Sequence, residues 1–369
     1  MKAEASWALL GLTCRLSQSL GLHRPSPHEN RESAPPDVKS KEMIRRKLWW
    51  TCTWHDTLTS LSFDRSPVTN MPNCCALPLA SLSPAGDFTY LEAMYNLIYI
   101  ISRRVTPDVM ADADYETISD ICNDVEDLRV RVGPHIRYKD QCKTVMDRLQ
   151  YFAVRLHTAF IISVACRPAI RKDCHQLKPE QKKFLAQKCQ NNLTETVRMF
   201  LAMHQLSVIP TRSWAFTYNG LSSALLLGIL TETKSDPEVR QLQGDLIAAL
   251  SATAAKEQTS PGPYIKKSDK DIELSGPLSR ALDALRNIYD HGSIIGQALS
   301  VKNEPGSVGS GSGNRTPLPP ISIGGPTSNN SGASVAYRPP QVHVDPHQQE
   351  AAIAMAEMQN GTPLSDYAG

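Results

Sequence analysis

Residues 3–20 read AEASWALLGLTCRLSQSL, and residues 41–61 read KEMIRRKLWWTCTWHDTLTSL. In the first stretch Ala5, Leu9, Leu12, Leu16 and Leu20 recur at the three-to-four spacing of one buried helical face. Gly21 follows, a residue able to take the left-handed conformation that ends a helix, with Pro25 and Pro27 beyond it. A polar loop through Pro35 and Pro36 leads to the second stretch, so the pair predicts helices over 3–20 and 41–61. Further helical patterns run outward over about 88–105, 113–130, 140–166, 179–206, 213–231, 237–256 and 275–295. Period-two alternation is nearly absent before residue 300, which argues against a sheet. The fold expected is all-α: a multi-helix, bundle-like body over 1–300.

The remainder differs in kind. In 301–345, 21 of 45 residues are Pro, Gly or Ser, too polar a composition to bury surface that offsets its ordering entropy. A disordered linker is expected there, followed by a flexible tail over 346–369. Ala351, Ala352, Ile353, Ala354, Met355 and Met358 give a small apolar patch for a short helix over 345–359. That helix reads either as a solvated transient or as a motif that folds in a partner's groove.

Composition narrows the function. With 369 residues, 41% of them hydrophobic, the chain can build one large core or two modest ones. A net charge of +2 argues against a basic nucleic-acid sleeve and against a polyacidic tail protein. A mean hydropathy of −0.30 and the lack of an apolar run near 18 residues argue against a membrane partner. No apolar stretch with a cleavage site follows Met1, so no secretory signal is expected. The nine cysteines are scattered, odd in number and without C-x-x-C spacing, which suits reduced thiols rather than a zinc site within this chain.

Two motif groups carry a resemblance. The first is Trp7, Leu9, Gly11 and Arg15, closing on Leu20-Gly21-Leu22-His23-Arg24. The second is Arg45-Arg46-Lys47-Leu48-Trp49-Trp50, then His55-Asp56, Asp64-Arg65-Ser66-Pro67 and Leu77-Pro78. In this order and spacing they resemble the regulatory middle domain of fungal zinc-cluster transcription factors, the type also found in activators of xylan-degrading genes. The close likeness covers about 5–78. Thr57 departs from the family's usual Arg, Asp64 from its Gly, and Asn70 and Asn73 from positions often acidic. The resemblance implies a nuclear regulator of transcription whose relatives bind DNA and zinc through an N-terminal cluster of six cysteines. This chain lacks that cluster, so no cofactor is expected in it, and the sequence reads as a fragment of such a protein. Transcriptional co-regulators are the implied partners, with a homodimer and a small-molecule inducer left open.

Positions 45, 49, 52 and 56 share one helical face, so Arg45 can stack on Trp49 one turn along. Asp56 lies too far from Arg45 for an ion pair within one helix, and its expected partner sits on another helix bearing Arg15 or Arg24. Ile44, Leu48 and Leu58 supply the adjoining apolar stripe. Arg45, Trp49, Trp50, Asp56 and Arg65 thus form either a buried packing network or one wall of an effector pocket.

Enzyme readings are weaker. His55-Asp56 lacks the further ligands a metal phosphohydrolase needs. Asp120, Asp124 and Asp127 share a helical face and could bind magnesium, but no second acidic motif follows. Gly309–Gly313 matches a serine-nucleophile pattern only as letters, without strand or helix around it. The leading expectation is a non-enzymatic regulatory domain. The alternatives are a free-standing interaction protein or dominant inhibitor that pairs with full-length relatives, and an all-α metal-dependent enzyme.

Overall fold

The structure, a computed structural model, describes residues 3–26, 35–63, 65–70, 74–79, 87–171, 174–258 and 276–292. Among these residues twelve α-helices follow one another. They are α1 (Ala3–Ser19), α2 (Pro36–Ser62), α3 (Tyr90–Arg104), α4 (Pro107–Ala111), α5 (Tyr115–Arg131) and α6 (Pro134–Arg137). Then come α7 (Val145–Cys166), α8 (Pro179–Leu206), α9 (Ile209–Arg212), α10 (Trp214–Ile229), α11 (Pro237–Gln258) and α12 (Gly276–His291). Short 3-10 turns at Lys139–Gln141 and Arg167–Ile170 flank α7. No strand occurs among the described residues, whose only β-pairing is an isolated bridge between Phe88 and Val132. The body is all-α, as the periodicity predicts. The expected linker over 301–345, the tail over 346–369 and the short helix over 345–359 lie outside the described residues.

Capping chemistry sets several boundaries. Thr89 opens α3 with a reciprocal box: its hydroxyl accepts from the Glu92 backbone N–H, and the Glu92 carboxylate accepts from the Thr89 N–H at 2.9 Å. Thr144 and Asp147 make the same box at the start of α7, which begins five residues later than the sequence pattern suggests. Helix α2 begins five residues earlier than expected. Pro36 occupies its first turn, where a fixed φ is already helical and the missing N–H costs nothing.

Helices α7 and α8 pack along each other and, with α10, form the centre of the molecule. From Thr217 to Gly228 every residue of α10 is buried, as expected for a helix that is apolar on all sides. It can lie that close to α11 and α12 because residue 228 is glycine. A Cβ there would stand 2.5 Å from Gln243 Nε2 and 2.6 Å from Ile288 Cγ2. The Gln243 amide instead donates to the Ala224 carbonyl at 2.9 Å, across the helix interface. Helix α5 presents Ile118, Ile121, Val125 and Leu128 to the core, the amphipathic face its sequence shows. Residues 145–170 are long and apolar enough to pass for a membrane span, but 78% of the qualifying window is buried inside the protein.

One expectation is reversed. The leucine stripe of α1 faces away from the body: Leu9, Leu12, Leu16 and Leu20 are 65%, 57%, 56% and 74% exposed. Helix α1 instead docks on α2 through Trp7, Cys14 and Ser17, half a turn round the helix. Ile44 and Leu48 of α2 are exposed as well, while Leu58 is buried. The spacing identifies an apolar face correctly, but it does not show whether anything covers that face.

Candidate functional site

The motif residues meet in an antiparallel hairpin of α1 and α2. Trp7 near the start of α1 donates its indole N–H to Ser60 near the end of α2, and Ser17 meets Cys52 at 3.3 Å. The Leu20–Arg24 segment turns the chain at the open end. Gly21 sits at φ +69°, and the Leu22 N–H reaches back to the Ser17 carbonyl at 3.1 Å, a capping pattern that needs a left-handed residue. That turn leaves three carbonyls pointing at α2. Arg45 Nη1 donates to Gly21 O, Leu22 O and Arg24 O at 3.1, 3.2 and 2.7 Å.

The opposite edge of the same guanidinium forks onto Glu42, with Nε and Nη2 donating to the two carboxylate oxygens at 2.9 and 2.7 Å. Arg46 adds a third donor to Glu42 at 3.1 Å. These cations, Arg45 first, hold the Glu42 carboxyl below its ordinary range. The stack of Arg45 on Trp49 is therefore replaced by a clamp on main-chain carbonyls, and the ring set against Trp49 is His23, 5.5 Å away.

Trp50 is buried and donates its indole N–H to the Cys75 and Ala76 carbonyls at 3.3 and 3.1 Å. Cys75 in turn donates its N–H to the His23 carbonyl at 2.8 Å. The 74–79 segment is thus tied to both helices of the hairpin.

Asp56 is almost wholly buried, and its partner is not Arg15 or Arg24. Its Oδ2 accepts from the backbone N–H and the hydroxyl of Thr69, both at 2.8 Å, and Oδ1 accepts from Ser60 at 3.4 Å. Arg15 lies on the exposed side of α1, donating to Gln18 at 3.2 Å. A buried carboxylate is held here by neutral donors on a loop, which makes it a staple for residues 65–70. Thr57, the family departure, is buried beside it with its hydroxyl unpaired.

Arg65 begins that loop. Its guanidinium lies 4.3 Å from the centre of the Trp7 ring and 5.2 Å from that of Phe63. Phe63 stacks on Trp214 of α10 at 5.0 Å with the planes 7° apart. A run of stacked groups, Trp7–Arg65–Phe63–Trp214, therefore couples the hairpin to the central helix.

Arg45, Trp49 and Trp50 thus gather at the 21–24 turn and the 74–79 segment, while Asp56 and Arg65 are linked at the other end of α2 through Ser60 and Trp7. Two shallow clefts on the described surface, of about 400 and 440 Å³, are lined by other residues. One is bounded by Gln241, Asp245, Arg286 and Tyr289, the other by Pro134, His135 and Lys143.

Other chemistry-bearing groups lie elsewhere. Asp120 and Asp124 both turn to Arg104 of α3, so the acidic face of α5 meets a guanidinium. Among the described residues no group of three His, Cys, Asp or Glu side chains is placed to hold a metal. All nine cysteines are free thiols. Two groups escaped the sequence reading. Cys122 and Cys166 bring their sulfurs within 3.6 Å between α5 and α7, and His157 is sealed in the core of α7. Burial pulls His157 down to about 4, with the Asn219 amide 3.4 Å from Nδ1 and the Phe216 ring 4.8 Å away.

An α-hairpin whose turn is gripped by an arginine, on an all-α body, is the structural form the motifs take. Over residues 2–93, covering α1, α2 and the start of α3, the chain matches the family model of the fungal specific transcription factor domain. The matched segment contains all five motif residues, and it bears out the resemblance read from them. No curated protein and no solved structure matches the chain.

Proposed function

We propose that this chain is a regulatory domain of a fungal transcription factor, acting in the nucleus through conformation rather than catalysis. The match over residues 2–93, which spans the whole Arg45-centred hairpin, is the observation that carries this reading. DNA and zinc binding would belong to a separate N-terminal module of full-length relatives. Arg45, Trp50 and Asp56 are engaged with main chain, and Trp49 and Arg65 with neighbouring rings.

The mechanism follows from how the hairpin is held. Arg45 and Asp56 fasten the α1–α2 hairpin and the loops around it through hydrogen bonds to carbonyls and to Thr69, and the Trp7–Arg65–Phe63–Trp214 stack passes that state to α10. An inducer or co-regulator that binds the docked and released arrangements with different affinity shifts their populations. Tethering the full chain to a heterologous DNA-binding domain tests this reading. A reporter whose output changes with the chain attached, and changes again when 301–369 are removed, supports it. Output identical to the DNA-binding domain alone in both cases counts against it. A second reading, an interaction protein that pairs with relatives, is favoured by the open leucine face of α1.

A further inference from the structure

We propose that the exposed leucine face of α1 is a self-association surface on which a second copy of this chain docks antiparallel, forming a two-fold dimer. Leu9, Leu12, Leu16 and Leu20 are each more than half exposed, and Ala5 continues their line. All lie within a strip about 80° wide at 100° per residue, opposite the Trp7, Cys14 and Ser17 face that meets α2. Four large apolar side chains aligned in this way form the kind of patch that marks an interface on a soluble protein.

The identity of the occupant follows from spacing and charge. Positions 5, 9, 12 and 16 are separated by four, three and four residues, a pattern that reads the same in both directions. A two-fold axis crossing between residues 10 and 11 therefore sets Leu9 of each copy against Leu12 of the other, and Ala5 against Leu16. A two-fold interface requires this self-complementarity, and the small-against-large pairing at its ends lets the helices approach. Arg15, the one charged α1 side chain the structure describes, lies about 60° beyond the strip's edge at Leu12 and about 13 Å along the helices from its two-fold mate, so like-charge repulsion between copies is weak.

The strip is about 22 Å long and each copy contributes on the order of 400 Å², below the ~800 Å² per partner of a standard interface. The dimer is therefore a weak, exchanging one.

Sedimentation equilibrium of the full chain from about 1 to 200 µM tests this. The expected result is a concentration-dependent rise from 40.7 kDa toward twice that mass. Leu9→Glu and Leu12→Lys should each raise Kd at least tenfold. Combined, they should recover most of the loss, because in the antiparallel arrangement the two introduced charges face each other across the axis. Both positions are exposed, so unchanged thermal unfolding will show that the fold is intact. Three results would overturn the proposal. The first is a monomer throughout the range; the second is a dimer indifferent to Leu12→Lys. The third is a monomer that dimerises only when Ile353→Asp and Met355→Asp are introduced in the tail, since the chain's own C-terminal segment would then be the occupant.

Discussion

Among the described residues Arg45 makes five hydrogen bonds with one rigid fork, three to carbonyls of the 21–24 turn and two to Glu42. A lysine keeps the charge but cannot span both sets of acceptors, because its donors radiate from a single point. Arg45→Lys should therefore lower the unfolding free energy by about 1–3 kcal/mol, read as a fall in urea midpoint at unchanged slope. His157 gives a second residue-level expectation. Burial holds it near 4 in the folded state against about 6.5 when unfolded, so the unfolded chain binds more protons between those values. Stability is then full above about pH 6.5 and falls as the pH drops toward 4. By pH 4.5 the loss should reach about 2–3 kcal/mol. Denaturation midpoints at pH 7 and 4.5 will show this, and His157→Gln should flatten the difference. These partners were hidden from the sequence. The clamp on Arg45 consists of backbone carbonyls, which any residue could supply, and the donors to Asp56 include a backbone N–H on a loop of unreadable course.

At the scale of elements, the long helices were legible because their apolar residues recur with the helical period and end at glycine, proline or a capping pair. Helix α8 spans the expected 179–206, and α12 falls within the expected 275–295. The short helices α4, α6 and α9, of four or five residues, were missed because a single turn carries no periodicity. The direction of the α1 face was misread for a different reason. Periodicity reports that one side is apolar, and the docking side proved to be the small and polar one, Cys14 and Ser17, with Trp7 at its end. The turn after α1 is where a point change should act most sharply. At φ +69° a side chain strains the backbone, so Gly21→Ala should destabilise by roughly 1–2 kcal/mol, measurable as a lower midpoint in thermal or urea unfolding. A loss confined to the hairpin, with α7 and α8 amides keeping their exchange protection, would agree with its place at the edge of the core.

At the scale of the molecule, the hairpin and the central bundle are joined chiefly through α2, which packs on α3 and on α10 as well as on α1. A change in hairpin docking therefore has a route to the core, through the Phe63–Trp214 stack. On the proposed function, the charges and rings at the hairpin would favour one packing over another, the kind of bistable contact a switching domain uses. The most direct measurement is a tethered reporter comparing the full chain with its Arg45→Lys variant at matched protein levels. The account predicts that loosening the clamp changes reporter output at least threefold while the variant still folds. Equal output from two folded proteins, with the variant measurably less stable, would contradict it.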